Sequence, residues 1–443
     1  MKTLKRIAYG AVALCMFILA ACSSDRTADV RVLLESVPSD ASLVAVIDVK
    51  SLLEDADCKV TGDKIIPGKE MLKALKNSDN SKLETLIEDN QDLGLDPSVA
   101  VYFMEGYNTY VTGYLSDSDK FKEYIEEKFR EKFQNAGDVS TCGNIAVTGD
   151  RFWICASSRN TISSGDIKHF QSLSGKQSIL SNEVVAKLEK LDHEVQGWGD
   201  IKGCLSSQFI PFSSRAMITM AVETIFSDAV EFIWHIDFEK GEAEAEAEIL
   251  NSKGGIAKFN FPESKIDGAT IRSFGGSATG YIAAAISPEI IKTLQEETGG
   301  KGLSVIGMVS KILSCVDGTC VVALGKDIEG GMISTNGHDT ADLTGMLSQF
   351  GFRVSKEGKF LRFAKGETSG DIPAEEAADE LKDALAGGVV SVADMGGDKT
   401  GISKVSVRLI PEKGGVKLNL KVKGTASKEN LLFSVLKNTL ESY

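Results

Sequence analysis

The clearest pattern in the sequence is a strict alternation of glutamate and alanine from Glu242 to Glu248. The stretch before it, Phe232–Glu239, is strand-like, and Lys240-Gly241 lies between the two. Alternation with a period of two indicates a strand with one buried and one solvated face, and a short turn joins two such strands into a hairpin. We therefore predict a β-hairpin with a glutamate-rich face.

A second hairpin is predicted near the end of the chain. Val405–Leu409 and Val416–Val422 flank a turn at Lys413-Gly414-Gly415, and the second stretch carries lysine where the first hairpin carries glutamate. Faces of opposite sign could meet each other or bind partners. The favoured interpretation is that both are ordinary solvated sheet faces.

The predicted elements follow the same order in both halves of the chain. Each half begins with an apolar strand that leads into a helix, first Ala41–Asp48 before Ser51 and later Ala278–Ile286 before Pro288. Each half ends in one of the two hairpins. We therefore predict an α+β fold of two tandem related units, residues 37–262 and 270–443, each a mainly antiparallel sheet with helices packed on one face.

The N-terminal residues have the layout of a lipoprotein signal. Lys2, Lys5 and Arg6 precede a short apolar run, Ile7–Ala21, and Cys22 closes a lipobox. We predict that residues 1–21 are cleaved, that Cys22 is acylated, and that residues 22–36 form a tether. Three acyl chains would make the anchor stable. The alternative is an ordinary signal peptide in which Cys22 is merely buried.

The residues after Cys22 bear on the location of the protein. Ser23 and Ser24 stand where an aspartate would hold a lipoprotein in the inner membrane, so we predict the outer membrane. Asp25 is alone beside Arg26, whereas surface display in some phyla uses a cluster of acidic residues. A periplasm-facing position is therefore favoured over a surface-exposed one.

Charge limits the range of partners. The formal net charge is −14, and it becomes −17 once the three basic residues of the signal are removed. Nucleic acid binds through basic residues that displace its counterions, so we predict no nucleic-acid partner. The expected partners are the membrane, through the N-terminal lipid, and an envelope protein.

Six cysteines remain after Cys15 and Cys22 are set aside, and an even number in an exported chain favours disulfides. Proximity in the sequence suggests two pairs, Cys315 with Cys320 and Cys142 with Cys155, and these leave Cys58 and Cys204 to each other. The alternative is six free, buried thiols that pack as small apolar groups.

No catalytic, cofactor-binding or metal-binding residue is predicted. The sequence contains no CxxC, and none of the four histidines has metal-ligand spacing to a cysteine. Asp48 and Asp200 each follow a strand and precede a helix, where a carboxylate can be catalytic. Capping of the helix is the favoured interpretation for both residues, because an aspartate side chain accepts hydrogen bonds from the first free amides of a helix.

The stretch from Val37 to Leu52, Val-Pro-Ser-Asp-Ala-Ser-Leu-Val-Ala-Val-Ile-Asp-Val-Lys-Ser-Leu, comes soon after the lipobox and resembles a family of uncharacterised Bacteroidete-type cell-envelope lipoproteins. Asp317-Gly318 before an apolar strand and the terminal hairpins are also similar to that family. The resemblance implies a cell-envelope lipoprotein with a domain of unknown function and offers no catalytic residues to carry over.

These observations favour a non-enzymatic binding or scaffolding protein of the cell envelope. One alternative is a hydrolase of envelope polymers or glycans, and another is a small-ligand receptor with a cleft between the two units. A pocket between the units, lined with perturbed carboxylates or a histidine, would count against the scaffold.

Overall fold

A computed structural model describes residues 30–61, 64–77, 93–156, 161–207, 210–297, 314–337, 339–392, 400–412 and 414–441. The predicted signal peptide, Cys22 and the first part of the predicted tether lie outside the described residues. So does the helical pattern of Val305, Val309, Ile312 and Leu313.

The strands are numbered in chain order. They are β1 Leu43–Asp48, β2 Cys58–Thr61, β3 Lys64–Pro67, β4 Leu95–Glu105, β5 Asn108–Leu115, β6 Gln134–Ala136, β7 Val139–Cys142, β8 Ile145–Thr148, β9 Arg151–Cys155, β10 Val195–Asp200, β11 Ala229–Glu239, β12 Glu242–Asn251, β13 Ser277–Ala278, β14 Gly280–Ile286, β15 Val316–Leu324, β16 Ile328–Thr335, β17 Arg353–Glu357, β18 Phe360–Ala364, β19 Ile372–Pro373, β20 Ala386–Ser391, β21 Ile402–Glu412 and β22 Gly415–Gly424.

The helices are numbered in the same way. They are α1 Val30–Glu35, α2 Val49–Asp55, α3 Lys69–Asn77, α4 Ser118–Phe129, α5 Ser164–Ser172, α6 Glu183–Ala186, α7 Ile201–Ser206, α8 Phe212–Ile225, α9 Gly268–Phe274, α10 Pro288–Glu297, α11 Ala341–Gln349, α12 Ala374–Leu381 and α13 Leu431–Glu441. Short 3-10 turns cover Gly175–Gln177, Ile179–Ser181 and Lys187–Glu189.

The fold is α+β, and its main element is one antiparallel sheet of 18 strands. The strand order is β6-β7-β8-β9-β5-β4-β1-β10-β11-β12-β22-β21-β20-β14-β15-β16-β18-β17. Two small antiparallel pairs, β2–β3 and β13–β19, stand apart from it. The strands of both halves therefore form a single continuous sheet, whereas one sheet per half was predicted.

Away from the centre, the first eight strands follow an equivalent order in the two halves, and β7 and β6 extend the first half beyond them. In the first half this order runs β12-β11-β10-β1-β4-β5-β9-β8, and in the second β22-β21-β20-β14-β15-β16-β18-β17. The last hairpin of each half thus lies at the middle of the sheet, where β12 pairs with β22.

The two charged hairpin faces meet at this junction. Glu246 is opposite Asn419 and Glu244 is opposite Lys421 in the β12–β22 register. The Lys417 ammonium lies 3.0 Å from the Glu246 carboxylate. The hypothesis that the glutamate-rich and lysine-bearing faces meet each other is confirmed.

Helices cover both faces of the sheet, not one face as predicted. On β4, Val101 and Phe103 belong to one apolar cluster, which includes Leu33 and Leu34 of α1 and Phe170 of α5. We call this side face A. The intervening residues of β4 point to the opposite side, face B, where α2, α3, α4 and α13 contribute to a second cluster. Since β4 buries both of its faces, both need a helical cover.

The end of the predicted tether belongs to the folded body. Residues 30–35 form α1, and both Leu33 and Leu34 are fully buried. Burial of a leucine side chain stabilises the folded state by about 2 kcal/mol. The body therefore includes residues from Val30 onward.

The capping interpretation of the two aspartates is confirmed. Asp48 accepts a hydrogen bond from the Ser51 amide at the start of α2. Asp200 accepts one from the Gly203 amide at the start of α7. Both carboxylates satisfy helix amides that would otherwise lack a partner.

The predicted disulfides are not formed, since none of the six cysteines takes part in a disulfide bond. Strand β8 separates Cys142 on β7 from Cys155 on β9, and the two residues belong to clusters on opposite faces. Two strand spacings amount to about 9.6 Å, which exceeds the reach of a disulfide.

The other two predicted pairs are also corrected. A disulfide between Cys315 and Cys320 would need a turn between the two residues, but Val316–Leu324 is one strand. The Cys204 thiol donates to the carbonyl of Ser42, and the Cys58 thiol to that of Ala56. The alternative of free thiols matches this structure.

Among the described helices, none combines the length and the apolar character needed to cross a membrane.

Candidate functional site

Strand β11 brings several titratable side chains onto face A. Residues at alternate positions of a strand share a face, so Glu231, Ile233, His235 and Asp237 point the same way. Ile233 packs against the face A cluster, so the side chains of all four residues point to face A. Glu231 and His235 are four residues apart, or about 13 Å along the strand.

Glu231 is a buried carboxylate with only one of its two oxygens engaged. Its side chain is 6% exposed. Oε2 accepts a hydrogen bond of 2.6 Å from Trp198 Nε1 and one of 2.9 Å from Asn182 Nδ2. Among the described residues, none donates to Oε1. Oε1 is not a fully buried atom, so it can be reached from solvent and is available to a ligand.

Asp200 adds a second carboxylate next to Glu231. The two residues are directly opposite each other in the β10–β11 register. Like charges at opposite positions destabilise a sheet. A cation bound between them would relieve the repulsion.

A cavity of about 790 Å³ opens over these carboxylates. We call it the Glu231 groove. Its lining includes four acidic side chains and one basic side chain, which are Asp40, Glu183, Asp200, Glu231 and Lys253. The volume falls in the range of small-molecule sites. All of its lining residues come from the first half of the chain.

A smaller cavity of about 470 Å³ lies between the two halves. Its lining includes Glu242 from the first half and Glu376, Lys404 and Lys423 from the second. These charges are paired within the protein, since Lys404 contacts Glu376 and Lys421 contacts Glu242. Because these charges already neutralise each other, they attract a ligand less strongly than Glu231 Oε1, to which no described residue donates.

A second reactive cluster lies further along β11. The rings of His193 and His235 stack with centroids 3.7 Å apart and planes 9° apart. His193 Nδ1 lies 2.7 Å from Asp237 Oδ2, and His235 Nε2 lies 3.7 Å from Glu246 Oε2. We call His193, His235 and Asp237 the histidine cluster.

Burial favours the neutral form of the His235 ring. Desolvation lowers the pKa of His235, and the neighbouring His193 lowers it further.

Burial also raises the pKa of Glu194 well above its usual value, and a hydrogen bond with Asp55 adds to the effect. The Asp55–Glu194 pair therefore holds a proton more tightly than two separate carboxyls would.

Neither site was predicted from the sequence, although part of the signal was present. The turn at Lys240-Gly241 sets the hairpin register and so places His235 opposite Glu246. His193 comes from the segment before β10, and only the β10–β11 pairing brings it to β11. No metal-binding residue was predicted, yet the ligand atoms of the histidine cluster all lie within 4.8 Å of one another.

Comparison with known proteins gives little guidance. No family model matches the chain, and no curated protein matches it. Two crystal forms of TP0453, forms I and III, are similar at 9% sequence identity with a TM-score of 0.30. The match covers 78% of this chain and 95% or 96% of TP0453.

Proposed function

We propose that this chain is a cell-envelope lipoprotein that binds a small cationic ligand in the Glu231 groove, without catalysing a reaction. The observation that carries the proposal is the buried carboxylate of Glu231, whose Oε2 is held by Trp198 and Asn182 while Oε1 lacks a partner among the described residues. Two fixed donors orient the carboxylate before a ligand arrives, which reduces the entropic cost of binding.

The charge of the groove defines the class of ligand. Four carboxylates and one ammonium line it, so its field attracts a cation. An ammonium group can donate to Glu231 Oε1 in a charge-assisted hydrogen bond. We therefore expect an amine, with the serine hydroxyls of the groove, such as Ser181, available to further polar groups of the ligand.

The lipid anchor places this groove in the envelope. We propose that acylated Cys22 holds the protein at the outer membrane on the periplasmic side, as the N-terminal sequence predicts. The bound cation would then be an extracytoplasmic amine.

The two halves are proposed to be related units, joined at β12–β22. The equivalent strand order supports this, since each half ends in a central hairpin and continues outward through strands of matching chain position. The lining residues of the Glu231 groove all belong to the first unit, so we propose that the second unit has a supporting role in completing the sheet.

The experiment is a calorimetric titration of the detergent-solubilised protein with spermidine, and with glucose as a neutral probe. Glu231→Gln keeps an oxygen that can accept from Trp198 and Asn182 but removes the charge. Its matched control is Glu183→Gln, an exposed carboxylate on the same groove.

We expect spermidine to bind and glucose not to bind. A charge-assisted hydrogen bond is worth roughly 1.5–3 kcal/mol, so Glu231→Gln should weaken spermidine binding about tenfold or more. Glu183→Gln should change it less than about threefold. Equal effects of the two substitutions, or preferential binding of glucose, would contradict the proposal.

A further inference from the structure

The histidine cluster combines the side chains that transition metals prefer. Two imidazoles and one carboxylate come together, with side-chain exposures of 34% for His193, 27% for His235 and 36% for Asp237. Neutral imidazole nitrogens and carboxylate oxygens are the usual ligands of Zn²⁺ outside cysteine sites. Half-burial leaves the cluster open to an ion from solvent.

The surroundings of the cluster are strongly acidic. A cavity of about 210 Å³ is lined by His235, Asp237, Glu239, Glu242, Glu244 and Glu246. Lys417 and Asn419 contact Glu246, and Lys421 contacts Glu242. Five carboxylates line the cavity and two lysines pair with them, so the cavity attracts positive charge.

Ion pairs within the protein do not explain why the two histidine rings of the cluster stack on each other. His193 and His235 stack on each other at 3.7 Å. If both rings were protonated, their charges would repel at this distance. A metal ion favours two neutral imidazoles side by side, because each offers it a lone pair.

We propose that His193, His235 and Asp237 bind one divalent transition-metal ion of the Zn²⁺ type, with Glu246 within reach as a fourth ligand. This site is separate from the Glu231 groove and does not depend on the function proposed for it.

Binding requires a small rearrangement. Tetrahedral Zn²⁺ has ligands at about 2.0–2.1 Å, which places donor atoms roughly 3.4 Å apart, whereas those of the cluster lie within 4.8 Å. The two parallel rings must also turn so that their lone pairs converge. His193 can turn more easily, because it lies in a bend before β10, while His235 is held within β11.

The test uses the untagged full-length protein, solubilised in detergent and stripped with a chelator. Zn²⁺ binding is measured by calorimetry, and Co²⁺ is added as a spectroscopic probe because its visible absorption reports tetrahedral coordination by nitrogen and oxygen. The variants are His235→Gln and Asp237→Asn, and the matched control is His169→Gln, an exposed histidine on α5.

We expect one Zn²⁺ per chain and a tetrahedral Co²⁺ spectrum. His235→Gln and Asp237→Asn should each weaken Zn²⁺ binding at least tenfold and remove the Co²⁺ spectrum, and His169→Gln should change neither. Asp237→Asn is nearly isosteric, so it keeps the test valid should His235→Gln fail to fold.

Zn²⁺ binding that is unchanged in both cluster variants would overturn the proposal. So would binding that is lost only in Glu244→Gln, since the carboxylates alone would then hold the ion. Absence of any saturable binding by the wild-type protein would overturn it as well.

Discussion

Lys421 and Glu242 belong to opposite halves of the chain, yet the Lys421 ammonium lies 2.7 Å from the Glu242 carboxylate on face A. Both side chains are partly buried, at 22% and 31% exposure. Together with Lys417 and Glu246, this pair joins the last hairpin of each half into one sheet. The junction is therefore held by side-chain charges as well as by the ladder of backbone hydrogen bonds.

The first prediction is that the Glu242–Lys421 pair stabilises the junction because the two side chains carry opposite charges. Glu242→Lys should lower the free energy of unfolding by about 1 kcal/mol, because it places a lysine beside Lys421 and opposite Lys423. Lys421→Glu should have a similar cost. The double variant Glu242→Lys with Lys421→Glu should recover most of the loss in urea denaturation. Simple additivity of the two losses would mean that the pair does not interact.

The second prediction concerns acid sensitivity at Glu380 on α12. Burial alone would raise the pKa of this carboxyl, but the hydrogen bond from Ser406 and the ammonium groups of Lys423 and Lys404 bring it below its usual value. A carboxyl with a lowered pKa in the folded state adds stability that is fully present above its unfolded pKa. That stability is lost as the pH falls through the folded pKa.

Glu380→Gln should therefore cost about 1–2 kcal/mol at pH 7, and this cost should shrink as the pH is lowered from 7 to about 3. The measurement is urea denaturation of both proteins across this pH range. Glu375→Gln, an exposed carboxylate on the same helix, is the control and should have no effect at any pH. A gap between Glu380→Gln and the wild type that does not narrow on acidification would refute the assignment.

The third prediction is that the cysteines are free and unreactive in the native protein. Burial raises the pKa of Cys58 and of Cys320 to about 12, so almost no thiolate is present at pH 8. A thiol reagent should therefore react slowly with the native protein. After denaturation without reductant it should titrate all six cysteines from Cys58 onward, and a count of four or fewer would show that disulfides form.

The fourth prediction concerns the anchor. Cys22→Ala removes the only atom to which the predicted lipobox would attach a diacylglyceride, so the protein should leave the membrane fraction for the soluble fraction. Fractionation with and without detergent measures this. Continued membrane association that only detergent can break would show that Cys22 is not the anchor.

Parts of the fold could be predicted because they depend on local patterns. The alternation of Glu242–Glu248 and the glycine at Gly241 are sufficient to predict the β11–β12 hairpin. The opposite charges of β12 and β22 raised the hypothesis that the two faces meet, whereas solvated faces were the favoured interpretation. Helix covers on both faces were not predicted, since that required knowing that β4 is buried on both sides.

The candidate sites could not be predicted, because they depend on contacts between distant residues. Trp198 is 33 residues from Glu231 in the sequence, and Asn182 is 49 residues from it. None of these three residues lies in a local sequence pattern that indicates a binding site. Only the pairing of β10 with β11 and the packing of the segment before α6 bring the three together.

The central claim is that Glu231 binds a cationic ligand, and a crystal structure of the protein grown with spermidine tests it most directly. We predict an amine nitrogen about 2.8 Å from Glu231 Oε1, with the hydrogen bonds from Trp198 and Asn182 to Oε2 retained. Spermidine bound elsewhere, or a Glu231 groove without an amine at saturating spermidine, would contradict the account.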